Sequence, residues 1–283
     1  VKGVDAILAI LTERMNAEVY DAAGPQLKIV ANMAVGYDNV DVPAATERGI
    51  PITNTPRVLT DATAHLTWAL ILSACRRLGE SERFLRSGAW SSWAPMFMLG
   101  TEVNGKTLGI YGLGRIGQAV ARRAVPFNMR VLYHSRTRLD EDAEQLLGVS
   151  YVDRDTLLRE SDILSVHCPL TPETRHAFSS AEFQAMKKTA TFINTSRGAV
   201  VDEEALVQAL KNGDIRGAGL DVFEAEPKVH PGLLDCPNTV LLPHIGSATE
   251  ETRAKMAEIA AKNIIQRLQG QRPQTCINPE VLE

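Results

Sequence analysis

Short apolar strands alternating with helices predict an α/β protein, built as doubly wound parallel sheets in two domains. Three observations carry this. A chain of 283 residues, 45% of them hydrophobic, is long enough for two cores. The strand–helix alternation runs through the chain and pauses once, between about residues 60 and 106. Where it resumes, Thr107 to Ala121 (TLGIYGLGRIGQAVA) sets a buried strand, a glycine turn and a helix in succession.

That stretch organises the rest. Leu108 to Tyr111 reads as a strand, and Gly112-Leu113-Gly114-Arg115-Ile116-Gly117 follows as G-x-G-x-x-G. Ile116, Ala119, Val120, Ala124 and Phe127 then recur at helical spacing. This order is the context a dinucleotide fingerprint requires. The first glycine allows the tight turn, the second lets backbone approach a pyrophosphate, and the third lets helix and strand pack closely. The helix N-terminus offers unpaired N–H groups to the phosphates. The same six residues can serve as a plain structural turn; the flanking strand and helix favour the nucleotide.

The elements follow in order. Val4 to Leu11, Leu27 to Ala34 and Ile50 to Asn54 read as strands, with helices at Met15 to Ala23 and Pro43 to Arg48 between them. One long linking helix is expected from Thr60 to Leu78, with Asp61 as N-cap and Gly79 as stop. Gly88 to Gly100 (GAWSSWAPMFMLG) has neither period and reads as a core cover, a substrate lid or a subunit contact. Beyond the fingerprint, strands are expected at Arg130 to Tyr133, Val149 to Val152, Ile163 to Val166, Ala190 to Ile193, Ala218 to Val222 and Val240 to Leu242. Helices are expected at Asp155 to Glu160, Ser180 to Met186, Asp202 to Asn212 and Thr249 to Gln269.

Bulk properties narrow the function. A net charge of -4 gives no footing for nucleic acid or an anionic membrane surface. No apolar run is long enough to span a bilayer. Cys75, Cys168, Cys236 and Cys276 are scattered and read as reduced thiols of a cytoplasmic protein. No signal peptide is visible, and no residue is assigned to a metal.

In a parallel sheet all strands end on one edge, where ligands bind. Each strand of the second domain runs into polar residues there: the glycine turn, His134-Ser135-Arg136-Thr137, His167-Cys168-Pro169, Thr195-Ser196-Arg197-Gly198, Asp221 with Glu224 and Glu226, and Pro243-His244. Topology alone therefore gathers Arg197, Glu226 and His244. Histidine titrates near neutrality and can hand a proton to a carbonyl oxygen. A glutamate favours its protonated form and fixes the ring, and arginine clamps a carboxylate with two hydrogen bonds. Beside a nicotinamide, the reaction is hydride transfer to a 2-oxo acid. Singly, each residue also reads as a surface cation, a loop charge and a loop histidine.

At these residues the sequence resembles the D-isomer-specific 2-hydroxyacid dehydrogenases, most of all the glyoxylate/hydroxypyruvate reductases. The matching segments are VANMAVGYDNVDV (Val30 to Val42), GLGRIG, HCPLTPETRH (His167 to His176), INTSRGAVVDEEAL (Ile193 to Leu206), GAGLDVFEAEP (Gly217 to Pro227) and LLPHIGSAT (Leu241 to Thr249). They recur in family order over nearly the whole chain.

The resemblance implies a Rossmann-type cofactor domain at residues 57–247, with linking helix 60–78. It also implies a smaller flavodoxin-like substrate domain, residues 1–56 plus 248–283, with a cleft between the two. Family members usually carry further residues before the equivalent of Val1, so the smaller domain is expected to be incomplete at its start. By the same likeness His244 is the proton donor, Glu226 its carboxylate partner and Arg197 the substrate clamp. The backbone N–H groups around Val35 and Gly36 bind the substrate carboxylate. Asp221 faces the nicotinamide amide, while Cys168, Pro169, Thr174, Thr195 and Gly246 line the cofactor with the glycine turn. Trp90 to Leu99 resembles a loop extended over a neighbouring subunit, which implies a homodimer and places Trp93 near the partner's site.

One departure bears on the cofactor. An acidic residue that would bind the ribose 2′-hydroxyl of NAD is expected about twenty residues past the glycines. Here the strand ends in Ser135-Arg136-Thr137-Arg138, with no carboxylate before Asp140. Hydroxyls and a guanidinium suit a 2′-phosphate, so NADP(H) is favoured and NAD(H) remains possible. The rival functions are another D-2-hydroxyacid dehydrogenase, for lactate or phosphoglycerate, and a non-catalytic dinucleotide-sensing regulator.

Overall fold

The computed structural model describes residues 1–283. The chain divides into two compact units, Val1–Ala62 with Ser247–Glu283, and Thr63–Gly246.

In the smaller unit, β1 (Ala6–Ala9), β2 (Ile29–Asn32) and β3 (Ile52–Thr53) form a parallel sheet in that order. The helices α1 (Ala17–Ala23) and α2 (Val42–Glu47) connect them, each started by a side chain that accepts a first-turn N–H, Asn16 and Asp41. Ile29, Val30, Ile52, Tyr20 and Ala45 are fully or almost fully buried here. Burying side chains of this size stabilises by about 1.5–3 kcal/mol for each large one. The C-terminal segment completes the unit. Asn278 accepts the Ile52 N–H at 2.8 Å and donates to the Ile50 carbonyl at 3.0 Å, closing the free edge of β3.

The larger unit is a seven-stranded, wholly parallel sheet. Its strands are β4 (Thr107–Tyr111), β5 (Arg130–His134), β6 (Val149–Tyr151), β7 (Ile163–Val166), β8 (Thr191–Asn194), β9 (Gly217–Leu220) and β10 (Thr239–Leu241). Their spatial order is β10-β9-β8-β7-β4-β5-β6. The chain winds outward one way from β4 through β6, then restarts beside β4 at β7 and winds the other way. That is the doubly wound Rossmann order, and the crevice opens where the direction reverses, between the ends of β4 and β7. One layer of core is built on Phe178, Phe183, Phe192, Leu206 and Leu220, the other on Leu108, Ile110, Tyr133, Ile71 and Trp68.

Several boundaries differ from the sequence reading. The linking helix is two helices, α3 (Thr60–Cys75) and α4 (Leu78–Arg86). The Cys75 carbonyl, which would accept from residue 79 in a continuing helix, instead accepts from the Thr101 N–H at 2.7 Å. Arg77 then turns through a left-handed φ of 56°. Gly79 is therefore inside α4 and stops nothing, and Asp61 lies within the first turn of α3 rather than before it. The helix after the fingerprint, α5 (Arg115–Arg122), is shorter than the apolar spacing implies. Phe127 lies in a following turn and stacks on Trp68 at 4.7 Å, while Trp68 donates to the Val120 carbonyl. Helix α6 (Glu141–Leu147) has no counterpart in the sequence reading, although Asp140 caps its start and Gly148 its end. The remaining helices are α7 (Arg154–Glu160), α8 (Ser180–Ala185), α9 (Glu203–Asn212), the short α10 (Pro231–Leu234) and α11 (Glu250–Leu268), which packs on the smaller sheet.

No helix is long and apolar enough to cross a membrane. Cys75, Cys168 and Cys236 are buried free thiols and Cys276 is partly buried. Burial raises all four, Cys168 to about 12. A cavity of about 250 Å³ is lined by Thr191, Gly217 and Thr239, the first residues of β8, β9 and β10. It therefore lies at the edge opposite the glycine turn.

Candidate functional site

The three glycines of the fingerprint are needed for three different reasons. Gly112 has φ 97°, and a Cβ there would sit 2.7 Å from the Cys168 nitrogen. It lets the β4 turn lie against the β7 turn, at the reversal of strand order. Gly117 faces the Gly112 carbonyl, where a Cβ would come within 2.4 Å, so α5 packs onto the turn. Around Gly114 the space is open: a Cβ would meet nothing within 4 Å. Gly114 is also the N-cap of α5 and contributes no side-chain cap, so the first N–H groups of the helix face outward unshielded. An open approach onto exposed helix N–H groups suits a pyrophosphate. These residues fit a dinucleotide.

The neighbouring turn is built to match. Ser135 accepts the Leu113 N–H at 2.7 Å, which ties the end of β5 to the glycine turn and leaves the serine proton to be donated outward. Arg136 and Thr137 are exposed. Glu173 is held below the usual carboxylate range by the Thr171 hydroxyl first, and in smaller part by the charge of Arg136. Arg136 thus lies towards the loop that follows β7. In that loop Thr174 donates to the Pro169 carbonyl at 2.7 Å. Arg138 is committed elsewhere: it grips Glu144 through two nitrogens, at 2.8 and 2.9 Å, and lies over the Tyr151 ring.

The ends of β8, β9 and β10 bring the reactive groups together. His244 Nδ1 lies 2.8 Å from Glu226 Oε2. The other Glu226 oxygen accepts the Phe223 N–H at 2.9 Å. Burial works to raise the Glu226 pKa, but the His244 hydrogen bond, the Phe223 N–H and the charges of His244 and Arg197 outweigh it, and the carboxyl is held low. Glu226 is therefore an anion at neutral pH. Arg197 is near enough for its charge to act there, and one of its nitrogens donates to the Ser196 carbonyl.

His244 has a left-handed φ of 52°. For a non-glycine residue such a conformation costs on the order of 1–3 kcal/mol and persists only where its surroundings impose it. Asp221 imposes it here. Its carbonyl accepts the His244 N–H at 2.9 Å, and its two carboxylate oxygens accept the Ile245 and Gly246 N–H groups, each at 2.8 Å. Asp221 is 1% exposed and burial raises its pKa, against the pull of these backbone donors and of His244. The reading of Asp221 from the family motif concerns the cofactor; its visible work is to hold the histidine turn.

Residues outside the expected set shape the same edge. Asn194, buried at the end of β8, accepts from the Ser196 backbone and hydroxyl and donates to the Arg197 carbonyl at 3.0 Å. Thr195 meets Thr67 of α3 at 2.9 Å, and Thr63, one turn earlier, donates to the Gly246 carbonyl at 3.2 Å. Both Asn194 and Gly198 lie inside INTSRG, where their chemistry was open to reading; the α3 threonines carried no signal. In the smaller unit, the carbonyls of Val35 and Gly36 are held by the Asn54 and Asn32 amides. Their own N–H groups have no protein partner. Trp93 is 78% exposed in a segment without strand or helix.

Residues 68–246 match the family described as D-isomer specific 2-hydroxyacid dehydrogenase, NAD binding domain. The chain is 53% identical over 286 aligned positions to the glyoxylate reductase of Thermococcus litoralis, covering 100% of this chain and 86% of that one. Among solved structures, the TT0316 protein of Thermus thermophilus superposes with a TM-score of 0.92 at 46% identity, covering 98% of this chain and 87% of that one. An NADPH-dependent glyoxylate/hydroxypyruvate reductase from Sinorhizobium meliloti, solved with NADP and malonate, gives a TM-score of 0.87 at 39% identity, covering 97% and 84%. The chain belongs to the D-isomer specific 2-hydroxyacid dehydrogenases, oxidoreductases that work with a nicotinamide dinucleotide. Within that family its relatives at 53% identity are glyoxylate reductases.

Proposed function

We propose that this chain reduces glyoxylate to glycolate, and hydroxypyruvate to the D-2-hydroxy acid, with NADPH preferred over NADH. The observation that carries the reading is the contact of 2.8 Å between His244 and Glu226 beside Arg197, at the carboxyl edge of the sheet. Arg197 binds the substrate's carboxylate and carbonyl. In the smaller unit the Val35 and Gly36 N–H groups, whose carbonyls are already engaged, are available to a carboxylate. When bound, the reduced nicotinamide supplies a hydride to the carbonyl carbon. His244 holds a proton on Nε2 and donates it to the developing alkoxide. Glu226, an anion fixed by the Phe223 N–H, holds Nδ1 and orients the ring. Arg136, with Ser135 and Thr137, binds the 2′-phosphate of NADPH. The glycine turn, Cys168, Pro169, Thr174, Thr195, Asp221 and Gly246 form the rest of the cofactor's bed.

A panel of 2-oxo acids with NADPH and with NADH tests this. Fastest turnover of glyoxylate and hydroxypyruvate with NADPH is expected. A preference for pyruvate or a phosphorylated acid, or no oxidation of either cofactor, overturns it.

The chain also pairs with a second copy. Trp90, Trp93, Met96 and Leu99 are exposed, as are Leu78 and Leu85 of α4, and large apolar side chains of this kind suit a protein interface. Light scattering should give twice the mass of 30.9 kDa for one chain; a monomer at micromolar concentration refutes the pairing.

A further inference from the structure

Two short segments carry the proposed chemistry of the larger unit, the turn after β8 with Arg197 and the loop after β9 with Glu226. One residue outside both touches both. His176, in the loop between β7 and α8, donates its backbone N–H to the Ala199 carbonyl at 2.9 Å, two residues beyond Arg197. Its Nε2 lies 2.6 Å from Glu224 Oε1, two residues before Glu226. His176 adopts a left-handed φ of 50°, uncommon for a residue other than glycine, and is held by contacts at both ends.

The loop it reaches is anchored at its main chain as well. The Glu224 N–H donates to Glu203 Oε1 at 2.7 Å, and Glu203 is itself 7% exposed with its pKa raised by burial. Arg175 also lies beside Glu224, with Nη1 at 4.0 Å. A second histidine–carboxylate pair thus stands on the same loop as the first, two residues away along the chain. We propose that His176 is a positioning residue for the reaction: through Ala199 and Glu224 it sets the separation between the Arg197 guanidinium and the Glu226–His244 pair. This rests on the site reading above. A substrate held by Arg197 must present its carbonyl to His244, and an error of about 1 Å in that placement costs up to roughly 100-fold in rate.

The test compares His176→Ala with His176→Gln, whose amide keeps a donor within reach of Glu224. With glyoxylate and NADPH, His176→Ala should lose about 10- to 100-fold in kcat/KM. His176→Gln should recover to within about threefold of wild type, and both should bind NADPH as wild type does. If His176→Ala does not fold, Glu224→Ala leaves the left-handed backbone untouched and carries the same expectation; the double variant should lose no more than either single one. Wild-type kcat/KM in His176→Ala, or equal losses in the Ala and Gln variants, overturns the proposal. Arg197→Ala, run alongside, separates the two claims. If it is inactive while His176→Ala is unimpaired, only the positioning role is wrong. If both are unimpaired, the site itself is wrong.

Discussion

Gly198 and Phe223 lie backbone against backbone: a Cβ on the glycine would stand 1.8 Å from the Phe223 carbonyl carbon and 2.4 Å from the Glu224 nitrogen. No side-chain rotation relieves such an overlap, since both partners are main chain. This contact presses the turn carrying Arg197 onto the loop carrying Glu226. Gly198→Ala should therefore push the two apart, destabilising the larger unit by about 1–3 kcal/mol or more. Urea unfolding and steady-state kinetics should both show the damage. A variant with wild-type stability and kcat/KM would mean the contact is not as close as it stands.

The His244–Glu226 pair makes a sharper kinetic prediction. His244→Ala should lower kcat by about 10²-fold or more, the scale for losing a general acid, with little effect on NADPH binding. Glu226→Gln keeps an acceptor for the ring but removes the negative charge beside it. It should lower kcat less than His244→Ala does. A His244→Ala enzyme with undiminished kcat removes the histidine from the proton transfer.

The proposed preference for NADPH makes Arg136 the residue to test. Arg138, two positions on, is held by Glu144, whose pKa is lowered to about 2 by the Arg138 hydrogen bonds and the Tyr133 hydroxyl. That leaves Arg136 to meet a 2′-phosphate. Arg136→Ala should raise the KM for NADPH by about tenfold, the worth of one charge-assisted contact, and barely change that for NADH. Equal changes for both cofactors reject the contact.

His167 predicts acid lability. Its ring bonds to the Ser165 hydroxyl at 2.8 Å, and burial depresses its pKa to about 3 from a usual 6.5. Between those two values the unfolded chain binds a proton that the folded chain does not. Stability must then rise with pH across this range and fall as pH drops from about 6.5 towards about 3. His167→Gln should flatten that slope in urea titrations at several pH values. An unchanged slope assigns the acid sensitivity to other groups.

Much of this site was legible because its residues carry their placement in their chemistry. Gly112 and Gly117 could be read because a close approach needs glycine, and Arg197, Glu226 and His244 because parallel strands deliver their ends to one edge. The break of α3 at Cys75 was not legible. It depends on Thr101, twenty-six positions downstream, taking a carbonyl the helix would otherwise use. The same holds for Thr63 and Thr67, which look like ordinary helix residues until Gly246 and Thr195 are folded against them. Asp221 stands out by its motif, yet its grip on two backbone N–H groups emerges only once the turn at residues 244–246 exists. Long-range hydrogen bonds between unremarkable residues leave no local pattern.

The distribution of the thiols gives the larger unit its own chemical reporters. Cys75, Cys168 and Cys236 are sealed in the larger unit, and Cys276 belongs to the smaller one. A buried sulfur with a raised pKa reacts with an alkylating agent only while its surroundings are open. The order in which Cys75, Cys168 and Cys236 are modified under mild denaturant thus ranks the parts of the larger unit by how often each opens, with no label introduced and no residue changed.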